Sequence, residues 1–411
     1  MSRAGIDAEQ RLAHRAVAAV FPFRTNTYVV DELIDWTAAP DDPIFRLTFP
    51  QPGMLAVADL ERMTRLLRAD ATPEQVRAAA NEVRRRLNPH PAGQVTLNEP
   101  THDGRRLAGM QHKYAETLLV LPRPGQTCHA YCQYCFRWPQ FVGEPEFKLA
   151  TDNVDSMVGY LSEHPEISDV LLTGGDPMVM AADVLRRYIE PLLAVDTVDT
   201  VRISTKALSY WPQRFVTDPD ADALLRLLEQ VTAAGRQLAV MVHVSHPREL
   251  DPPLVAMALR QVRDTGAVLR FQAPVIRGIN DDAAVWATMW RRLSALGVVP
   301  YYMFVERDTG PHDFFAVPLE RAYTIYRDAI SAVSGLARTA RGPVLSTTSG
   351  KVCVDGIATI GGERVFVLRY LQARDPAIVG RPFFAQFDAA ATWLTDLKPA
   401  FGASELGPQP T

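Results

Sequence analysis

Cysteine is scarce in this chain, with four among 411 residues. The chain also has no large excess of charge of either sign. A chain of this length buries a core that needs no disulfide framework, so cross-linking does not explain the few cysteines. The 43 basic and 47 acidic residues leave a formal net charge of −4, which provides no basic field for nucleic acid. No run of about 18 apolar residues occurs that could span a membrane, and charges recur through the N-terminal segment, unlike a secretory leader. We therefore expect a soluble, cytoplasmic protein without a membrane or nucleic-acid partner.

Three of the four cysteines lie close together, in the segment CHAYCQYC at residues 128–135. Polar neighbours, among them His129, make this segment a loop, which indicates that the thiols are grouped for a metal. Cys128, Cys132 and Cys135 supply three of the four thiolates that a 4Fe-4S cluster ordinarily takes, which leaves one iron open for a substrate or cofactor. A zinc site with His129 as the fourth ligand, a site completed by Cys353, and three buried apolar cysteines remain the alternatives.

Six short apolar runs follow one another after the first hundred residues, separated by amphipathic stretches: TLLVLP, DVLLTGG, TVRIST, LAVMVHV, VLRFQAPV and VVPYYMFVE. Such runs are typical of strands in a buried parallel sheet whose connections are helices. We therefore predict an α/β fold, a partial TIM-type (β/α)6 barrel over residues 109–330. Its functional residues are expected on loops after the carboxyl ends of the strands.

Two further regions flank the predicted barrel. Residues 1–108 have apolar residues at intervals of three and four, with a helix start at Thr72 and Pro73, which predicts an N-terminal helical layer. Residues 331–411 contain a helical stretch and then a hairpin turned by Gly361 and Gly362. They predict a C-terminal α+β extension.

The cysteine segment resembles the CxxxCxΦC motif of radical S-adenosylmethionine enzymes, with Tyr134 as the aromatic residue before Cys135. The resemblance implies a partial TIM barrel and a cluster whose open iron is chelated by S-adenosylmethionine. The end of the next strand, LLTGGDPM, resembles the Gly-Gly-Glu motif of the same family in a Gly-Gly-Asp form. Glycines let the backbone approach a ligand, and a carboxylate can accept from an ammonium group. The resemblance thus implies that S-adenosylmethionine lies against four residues: Gly174, Gly175, Asp176 and Pro177.

Longer segments are similar to the lysine 2,3-aminomutase branch of this family. HKYAETLLVL, CFR, RISTKALSYWPQR, HVSHPREL, FQAPVIRGINDD and PYYMF occur in the same order as in those enzymes. The resemblance implies that Arg137 binds the substrate α-carboxylate and that His246 and Gln272 line the S-adenosylmethionine site. It also implies that Lys351 carries pyridoxal phosphate and that Lys113 binds its phosphate group.

Three positions depart from the pattern of the lysine 2,3-aminomutases. Val344 and Arg307 stand where the family has two aspartates that hold the distal ammonium group of lysine, and Thr117 replaces one of two basic residues of the phosphate site. A buried ammonium group without a partner is costly, so we expect lysine to be a poor substrate. A cation at Arg307 favours an acidic or neutral polar side chain, such as that of glutamate. A slip of one residue would place Glu306 or Asp308 there instead.

The resemblance therefore implies an enzyme, a radical S-adenosylmethionine isomerase that moves an amino group from Cα to Cβ of an amino acid. Its implied cofactors are a 4Fe-4S cluster, S-adenosylmethionine and pyridoxal 5′-phosphate, which carry the difficult chemistry. Its implied partners are a small-molecule amino acid and an electron donor such as flavodoxin or ferredoxin, and a homo-oligomer is an open expectation. Two alternatives stay open: a radical S-adenosylmethionine enzyme that works without pyridoxal phosphate, and a zinc- or cluster-binding protein that is not an enzyme.

Overall fold

The structure, a computed structural model, describes residues 5–87, 93–94, 96–144 and 147–408. One large open sheet organises this part of the chain. The strands are β1 (Thr101–His102), β2 (Arg105–Arg106), β3 (Met110–Tyr114), β4 (Thr117–Val120), β5 (Asp169–Leu172), β6 (Thr200–Thr205), β7 (Gln237–His243), β8 (Val268–Val275), β9 (Val298–Val305), β10 (Arg341–Ser346), β11 (Gly350–Ile360), β12 (Glu363–Ala373) and β13 (Pro382–Gln386). β1 and β2 pair with each other, and the other eleven form the large sheet in chain order, with β3 and β13 at its edges.

Strands β4 to β10 run parallel, each beside its neighbour in the chain. Helices fill the connections: α5 (Val154–Glu163), α6 (Ala182–Leu193), α7 (Ala207–Tyr210), α8 (Gln213–Val216), α9 (Ala221–Ala233), α10 (Pro253–Asp264), α11 (Ala283–Ala295), α12 (His312–Phe315) and α13 (Leu319–Ser331). All six predicted apolar runs form parallel strands, β4 to β9, so the predicted partial barrel is confirmed. β10 adds a seventh parallel strand that the sequence analysis did not separate from the C-terminal hairpin.

Alternation along the parallel strands separates a core from a polar interior. Val170, Ile203 and Val240 are fully buried and pack in one cluster with helix residues such as Leu227 and Trp290. Fully burying such side chains stabilises the fold by about 1.5–3 kcal/mol each. The intervening residues of β5, β6 and β8 face the other way and are only partly buried. The sheet therefore presents a second face that is available for a site.

The N-terminal region forms helices that cover one end of the barrel: α1 (Ala8–Val20), α2 (Pro43–Thr48), α3 (Val57–Arg68) and α4 (Pro73–Arg86). The predicted helix start is present, because the Thr72 side chain accepts from Gln75 N and Pro73 occupies the first turn. Phe45 and Met63 of this layer pack in one cluster with Trp138 of the barrel. The layer is thereby fixed against the segment that follows β4.

The C-terminal strands continue the barrel sheet. β11 pairs antiparallel with both β10 and β12, and the predicted hairpin turn is present. Gly361 and Gly362 have φ values of +59° and +88°, which glycine adopts without strain. Because β10 to β13 belong to the same sheet as β4 to β9, no sheet boundary coincides with residue 330. The divisions at residues 108 and 330 stay predictions.

Within the described residues, every helix is too short or too polar to cross a lipid bilayer.

Candidate active site

The cysteine segment is a loop that follows β4, at the carboxyl end of the first parallel strand. Cys128, Cys132 and Cys135 are each partly exposed on it, whereas Cys353 is buried in β11. Cys353 packs in a cluster with Tyr302 and Val344. It therefore belongs to the sheet and does not complete the set of thiols on the loop.

The N-terminal layer holds the cysteine loop by backbone hydrogen bonds. Tyr131 N donates to Arg24 O at 2.9 Å, and Gln133 N donates to Leu47 O at 2.8 Å. These bonds satisfy buried backbone groups that a surface loop would leave to water. The N-terminal layer thus sets the conformation in which the three thiols are presented.

Burial is the main cause of raised thiol pKa values on this loop. It raises the pKa of Cys132 to about 12 and that of Cys135 to about 11, and the pKa of Cys128 lies well above its ordinary value. Thiolates at such positions require a compensating cation, which a metal centre supplies.

The spacing of the thiols fits a cluster better than a single metal ion. In the part of the chain that the structure describes, ligand atoms within 4.8 Å of one another occur as a group only at the surface residues His102, Asp103 and Glu163. Thiolates on one tetrahedral zinc ion lie about 3.8 Å apart, given a Zn–S distance of about 2.3 Å. At least one pair of the three sulfurs is therefore more than 4.8 Å apart, which is wider than one zinc ion allows.

Both ring nitrogens of His129, the candidate fourth ligand of a zinc site, contact other side chains. Its Nε2 lies 3.3 Å from Asp176 Oδ2, and its Nδ1 lies 3.5 Å from Asn26 Nδ2. Both ring nitrogens are therefore engaged, which disfavours the zinc alternative.

The Gly-Gly-Asp segment packs directly against the cysteine loop. Asp176 N donates to Thr127 O at 2.8 Å. A Cβ atom on Gly175 would lie 2.2 Å from Thr127 O, and one on Gly174, whose φ is +133°, would lie 2.0 Å from Gln126 Nε2. Both positions require glycine. The close approach that the sequence analysis attributed to a ligand is made here by the cysteine loop itself, and Pro177 then begins a short 3-10 turn.

The Asp176 carboxylate is buried and saturated with donors. Oδ1 accepts from Thr205 Oγ1 at 2.8 Å and Met178 N at 3.0 Å, and Oδ2 accepts from Lys206 N at 2.9 Å and contacts His129. Burial acts to raise the pKa of Asp176, but the His129 contact and the other donors outweigh it, so the pKa lies below its ordinary value. The expected acceptor of an ammonium group is thus already occupied. The side chain connects the cysteine loop to β6.

A buried ion pair continues this network. Lys206 Nζ lies 2.7 Å from Glu249 Oε2, and Glu249 is fully buried. Glu249 Oε1 also accepts from Ser245 N at 2.7 Å, and Ser245 Oγ lies 3.3 Å from the Tyr134 hydroxyl of the cysteine loop. Each charge of the pair is therefore compensated, and the network reaches the residue that precedes Cys135.

The two residues expected beside S-adenosylmethionine have different surroundings. His246 caps the turn Pro247–Leu250, where its Nδ1 accepts from Arg248 N at 3.3 Å. Gln272 Nε2 donates to His243 Nε2 at 3.0 Å, and burial lowers the pKa of His243 to about 4, which keeps its ring neutral. Of the predicted pair, only Gln272 is among the described residues that line the central cavity.

This cavity has a volume of about 170 Å³ and lies on the polar face of the curved sheet. Side chains from β3 and β12 both line it, so the sheet curls until its distant strands approach. Six predicted residues line it: Lys113, Thr117, Arg137, Gln272, Arg307 and Lys351. Further lining residues that the sequence analysis missed include Gln111, Tyr114, Arg202, Tyr302, Ser346 and Gln372. For Arg202 the sequence did contain a signal, because a charged residue that interrupts the apolar run TVRIST indicates a side chain on the polar face of the strand.

Lys351 has the properties of a nucleophilic amine. Its Nζ donates to Gln372 Oε1 and lies 4.5 Å from the ring centroid of Tyr114. Burial, followed by the charges of Arg202 and Arg341, lowers the pKa of Lys351 to about 7. A substantial fraction is therefore neutral near pH 7, as attack on an aldehyde requires. The Lys351 environment fits the covalent attachment of pyridoxal phosphate.

The residues expected at the phosphate lie in the same cavity. Burial, together with Arg307 and other nearby cations, lowers the pKa of Lys113 to about 7, and its Nζ donates to Thr347 O. Thr117 Oγ1 lies 3.5 Å from Asp169 Oδ2, so its hydroxyl is only weakly engaged. Lys113 donates to a carbonyl oxygen, and a phosphate group would give it an anionic partner. This part of the cavity therefore fits a phosphate.

Two arginines face the cavity with unsatisfied donors. Arg137 Nη1 and Arg307 Nε and Nη2 are buried and have no hydrogen-bond partner in the described part of the chain. Burial lowers the pKa of Arg137 to about 10, so the group stays charged near pH 7. Arg307, and neither Glu306 nor Asp308, is among the described lining residues. Arg307 is therefore the residue of this segment that a ligand in the cavity can contact.

The cavity is cationic. Arg202 is compensated by Asp169, with Nη2 2.5 Å from Oδ2, but no aspartate or glutamate occurs among the described lining residues. Val344 is buried against Tyr302, and Ser346 is the residue of β10 that lines the cavity. The arrangement suits anions and offers a second ammonium group no partner.

Sequence comparisons with curated proteins agree with the motifs. The chain is 33% identical over 392 residues to a putative L-lysine 2,3-aminomutase of Aquifex aeolicus, which covers 95% of this chain and 91% of that protein. It is 28% identical over 331 residues to the L-lysine 2,3-aminomutase of Escherichia coli, covering 80% and 82%. The crystal structure of a radical SAM methyltransferase from Sphaerobacter thermophilus matches 72% of this chain and 94% of its own, with 17% identity and a TM-score of 0.39. No family model matches. The predicted enzyme class and family are confirmed by the first of these relatives: the chain belongs to the lysine 2,3-aminomutase family of radical S-adenosylmethionine enzymes.

Proposed function

We propose that this protein is a radical S-adenosylmethionine 2,3-aminomutase that acts on an amino acid other than lysine. Cys128, Cys132 and Cys135 would hold a 4Fe-4S cluster, the Gly-Gly-Asp segment S-adenosylmethionine, and Lys351 pyridoxal phosphate. When bound, these groups supply a hydrogen-abstracting radical and a carbonyl that holds the amino group. The observation that carries the proposal is a single cavity beside the cysteine loop. It contains Lys351, whose lowered pKa favours the neutral amine, and Arg137, which has a donor without a hydrogen-bond partner among the described residues.

The residues of the chain would bind, orient and protect the substrate. Arg137 would bind the α-carboxylate, since a guanidinium matches a carboxylate with two parallel hydrogen bonds. Lys351 Nζ would take up and return a proton as it exchanges with the substrate amino group, which a pKa of about 7 favours. The rings of Tyr114 and Tyr302, with Nζ at 4.5 and 5.6 Å from their centroids, would keep water from it.

Other parts of the proposal follow from the family. Lys113 and Thr117 would bind the phosphate, and a donor such as flavodoxin or ferredoxin would deliver the electron to the cluster. A lysine substrate would bring its distal ammonium group into a cavity whose described lining has no carboxylate. That unpaired charge is the reason for proposing another amino acid.

The cluster is tested by iron and sulfide content after anaerobic reconstitution. Single changes of Cys128, Cys132 or Cys135 to Ala should each abolish a stable four-iron cluster, because each removes one of three thiolates. Cys353→Ala is the matched control and should keep the cluster. Equal loss of iron in all four variants would contradict the assignment.

The pyridoxal phosphate site is tested by borohydride reduction followed by peptide mass analysis. The cofactor should become fixed to Lys351 in the wild-type protein and in Lys398→Ala, which removes an exposed lysine. It should not be fixed in Lys351→Ala. If wild-type protein cleaves S-adenosylmethionine yet fixes no pyridoxal phosphate, the alternative enzyme without this cofactor is the better description.

A further inference from the structure

We propose that the substrate is an amino dicarboxylic acid of at least five carbons, with Arg307 binding its side-chain carboxylate. This inference rests on the proposed function, in which Arg137 binds the α-carboxylate. It names the substrate class of the same cavity from the distribution of unpaired charge.

The two arginines are arranged for two carboxylates on one molecule. Their Cζ atoms lie 5.0 Å (Arg137) and 4.8 Å (Arg307) from the ring centroid of Phe136. The guanidinium carbons are therefore no farther apart than the sum of these distances, about 10 Å. A five-carbon chain separates its carboxyl carbons by about 5 Å when extended, and each carboxylate reaches its arginine across about 2.8 Å. Such a molecule is long enough to contact Arg137 and Arg307 together.

The other cations of the cavity have assigned partners, which leaves Arg307. Arg202 is paired with Asp169, Lys113 donates to a carbonyl and lies in the proposed phosphate site, and Lys351 donates to Gln372. Arg307 Nε and Nη2 have no hydrogen-bond partner among the described residues, although both atoms are buried. Burying unsatisfied donors of a charged group is costly, and a side-chain carboxylate removes that cost.

The reaction itself sets the minimum length of the substrate. A 2,3-shift breaks the C2–N bond, forms a C3–N bond and moves one hydrogen from C3 to C2, with no net oxidation or reduction. In a four-carbon amino dicarboxylic acid this exchange regenerates the same constitution, so no new compound forms. The five-carbon acid, glutamate, is the shortest that gives a distinct product, 3-aminopentanedioate.

That product has two carboxymethyl arms related by a mirror plane, which provides an internal test. Arg137, Arg307 and the group that holds the nitrogen would fix the product at three points, so the site distinguishes the two arms when the product is released and rebinds. Reversal then returns glutamate in which a label placed at C1 remains at C1. A site that held only one carboxylate could bind the product by either arm and would distribute the label between C1 and C5.

Binding is tested first, on protein without added pyridoxal phosphate or substrate amine. Glutarate should raise the thermal midpoint of the wild-type protein, and 1,5-diaminopentane should not. Arg307→Gln should weaken glutarate binding by about 10- to 100-fold, the loss of one charge-assisted contact. Arg327→Gln, which removes an exposed arginine outside the cavity, is the matched control and should bind as wild type. If Arg307→Gln leaves glutarate binding unchanged and weakens binding of inorganic phosphate, Arg307 serves the phosphate and the proposal is overturned.

Turnover then separates this inference from the proposed function. The reconstituted enzyme with C1-labelled glutamate should form 3-aminopentanedioate and return glutamate that carries the label at C1 and none at C5. Faster turnover of lysine than of glutamate overturns the dicarboxylate and leaves the aminomutase intact. Binding of glutarate through Arg307 without rearrangement of any amino acid overturns the aminomutase and leaves the two-carboxylate site intact.

Discussion

Buried charges are treated in opposite ways in two neighbouring regions of this molecule. Beneath the cysteine loop, Asp176 and Glu249 are buried, and their carboxylates accept from backbone amides and side chains. In the cavity, donors of Arg137 and Arg307 are buried without partners among the described residues. Buried polar groups are ordinarily satisfied. The first region therefore maintains structure, and the second retains the capacity to bind anions.

The same contrast shows that a residue of a ligand-binding motif need not have its side chain available to the ligand. Asp176 belongs to a motif implied to bind S-adenosylmethionine, yet its carboxylate is used inside the protein. The backbone of the two glycines likewise packs against the cysteine loop, at Gln126 and Thr127. Arg307, which stands where the family has an aspartate, has donors available for a ligand.

Breaking the best-satisfied pair should have the largest effect on stability. Glu249→Ala leaves Lys206 buried without its partner, and we expect a loss of about 3–5 kcal/mol in the free energy of unfolding. Denaturant titration measures this loss. The double variant Lys206→Met/Glu249→Leu removes both charges and should lose less. Equal losses in the two variants would contradict the view that the cost comes from an unpaired charge.

Asp176→Ala should lower the free energy of unfolding by about 1.5–3 kcal/mol, because it deprives several donors of a charged acceptor. The folded pKa of Asp176 lies below its ordinary value of 3.8. Its ionisation therefore contributes stability that is present above the ordinary pKa and is lost as pH falls through the folded pKa. The stability gap between wild type and Asp176→Asn should accordingly narrow below about pH 4. Parallel pH profiles of the two proteins would rule out this role.

Arg307→Met should change the stability in the opposite direction from the two preceding variants, because it removes a charge that has no partner. Replacing a buried, unsatisfied guanidinium by an apolar chain is expected to raise the free energy of unfolding of the unliganded protein by about 1 kcal/mol. Arg214 is the matched control, since its buried side chain donates to Met178 O at 2.9 Å and Asp220 Oδ1 at 2.6 Å. Arg214→Met should destabilise the protein. A loss of stability in both variants would mean that Arg307 has a structural role.

The smallest expected effect is a shift in the reactivity of Lys351. Burial lowers its pKa to about 7, so its rate of acylation should rise as pH increases through 7 and then level off. Rates are measured for the Lys351 peptide by mass spectrometry, with exposed Lys398 as the reference in the same samples. A Lys351 rate that keeps rising to about pH 10, the ordinary range for lysine, would show that its surroundings do not favour the neutral amine.

Local patterns were sufficient for much of the fold. The six apolar runs became β4 to β9, Thr72 caps α4, and Gly361 and Gly362 turn the hairpin. Each depends on residues a few positions apart. β3 and β10 were missed because strand type depends on the neighbour in space: β3 pairs antiparallel at the edge, while β10 joins β9 in parallel.

The site also has features that local sequence predicts and features that depend on neighbours in space. The thiols share one loop, so their spacing alone indicated a metal centre. The placement of Arg202 and Gln372 in the cavity could not be predicted, because it depends on how far the sheet curls. The capping role of His246 and the saturation of Asp176 likewise depend on partners from separate elements.

The sequence by itself determined which chemistry this protein carries: three thiols on one loop, the order of the strands and the residue types that identify the family. Those features depend on covalent spacing and on interactions within a few residues. Only the tertiary structure decided that Arg137, Arg307 and Lys351 line one cavity and which buried charges find partners. The physical reason is that convergence and charge compensation depend on the curvature of the sheet, which is set by packing between distant segments of the chain.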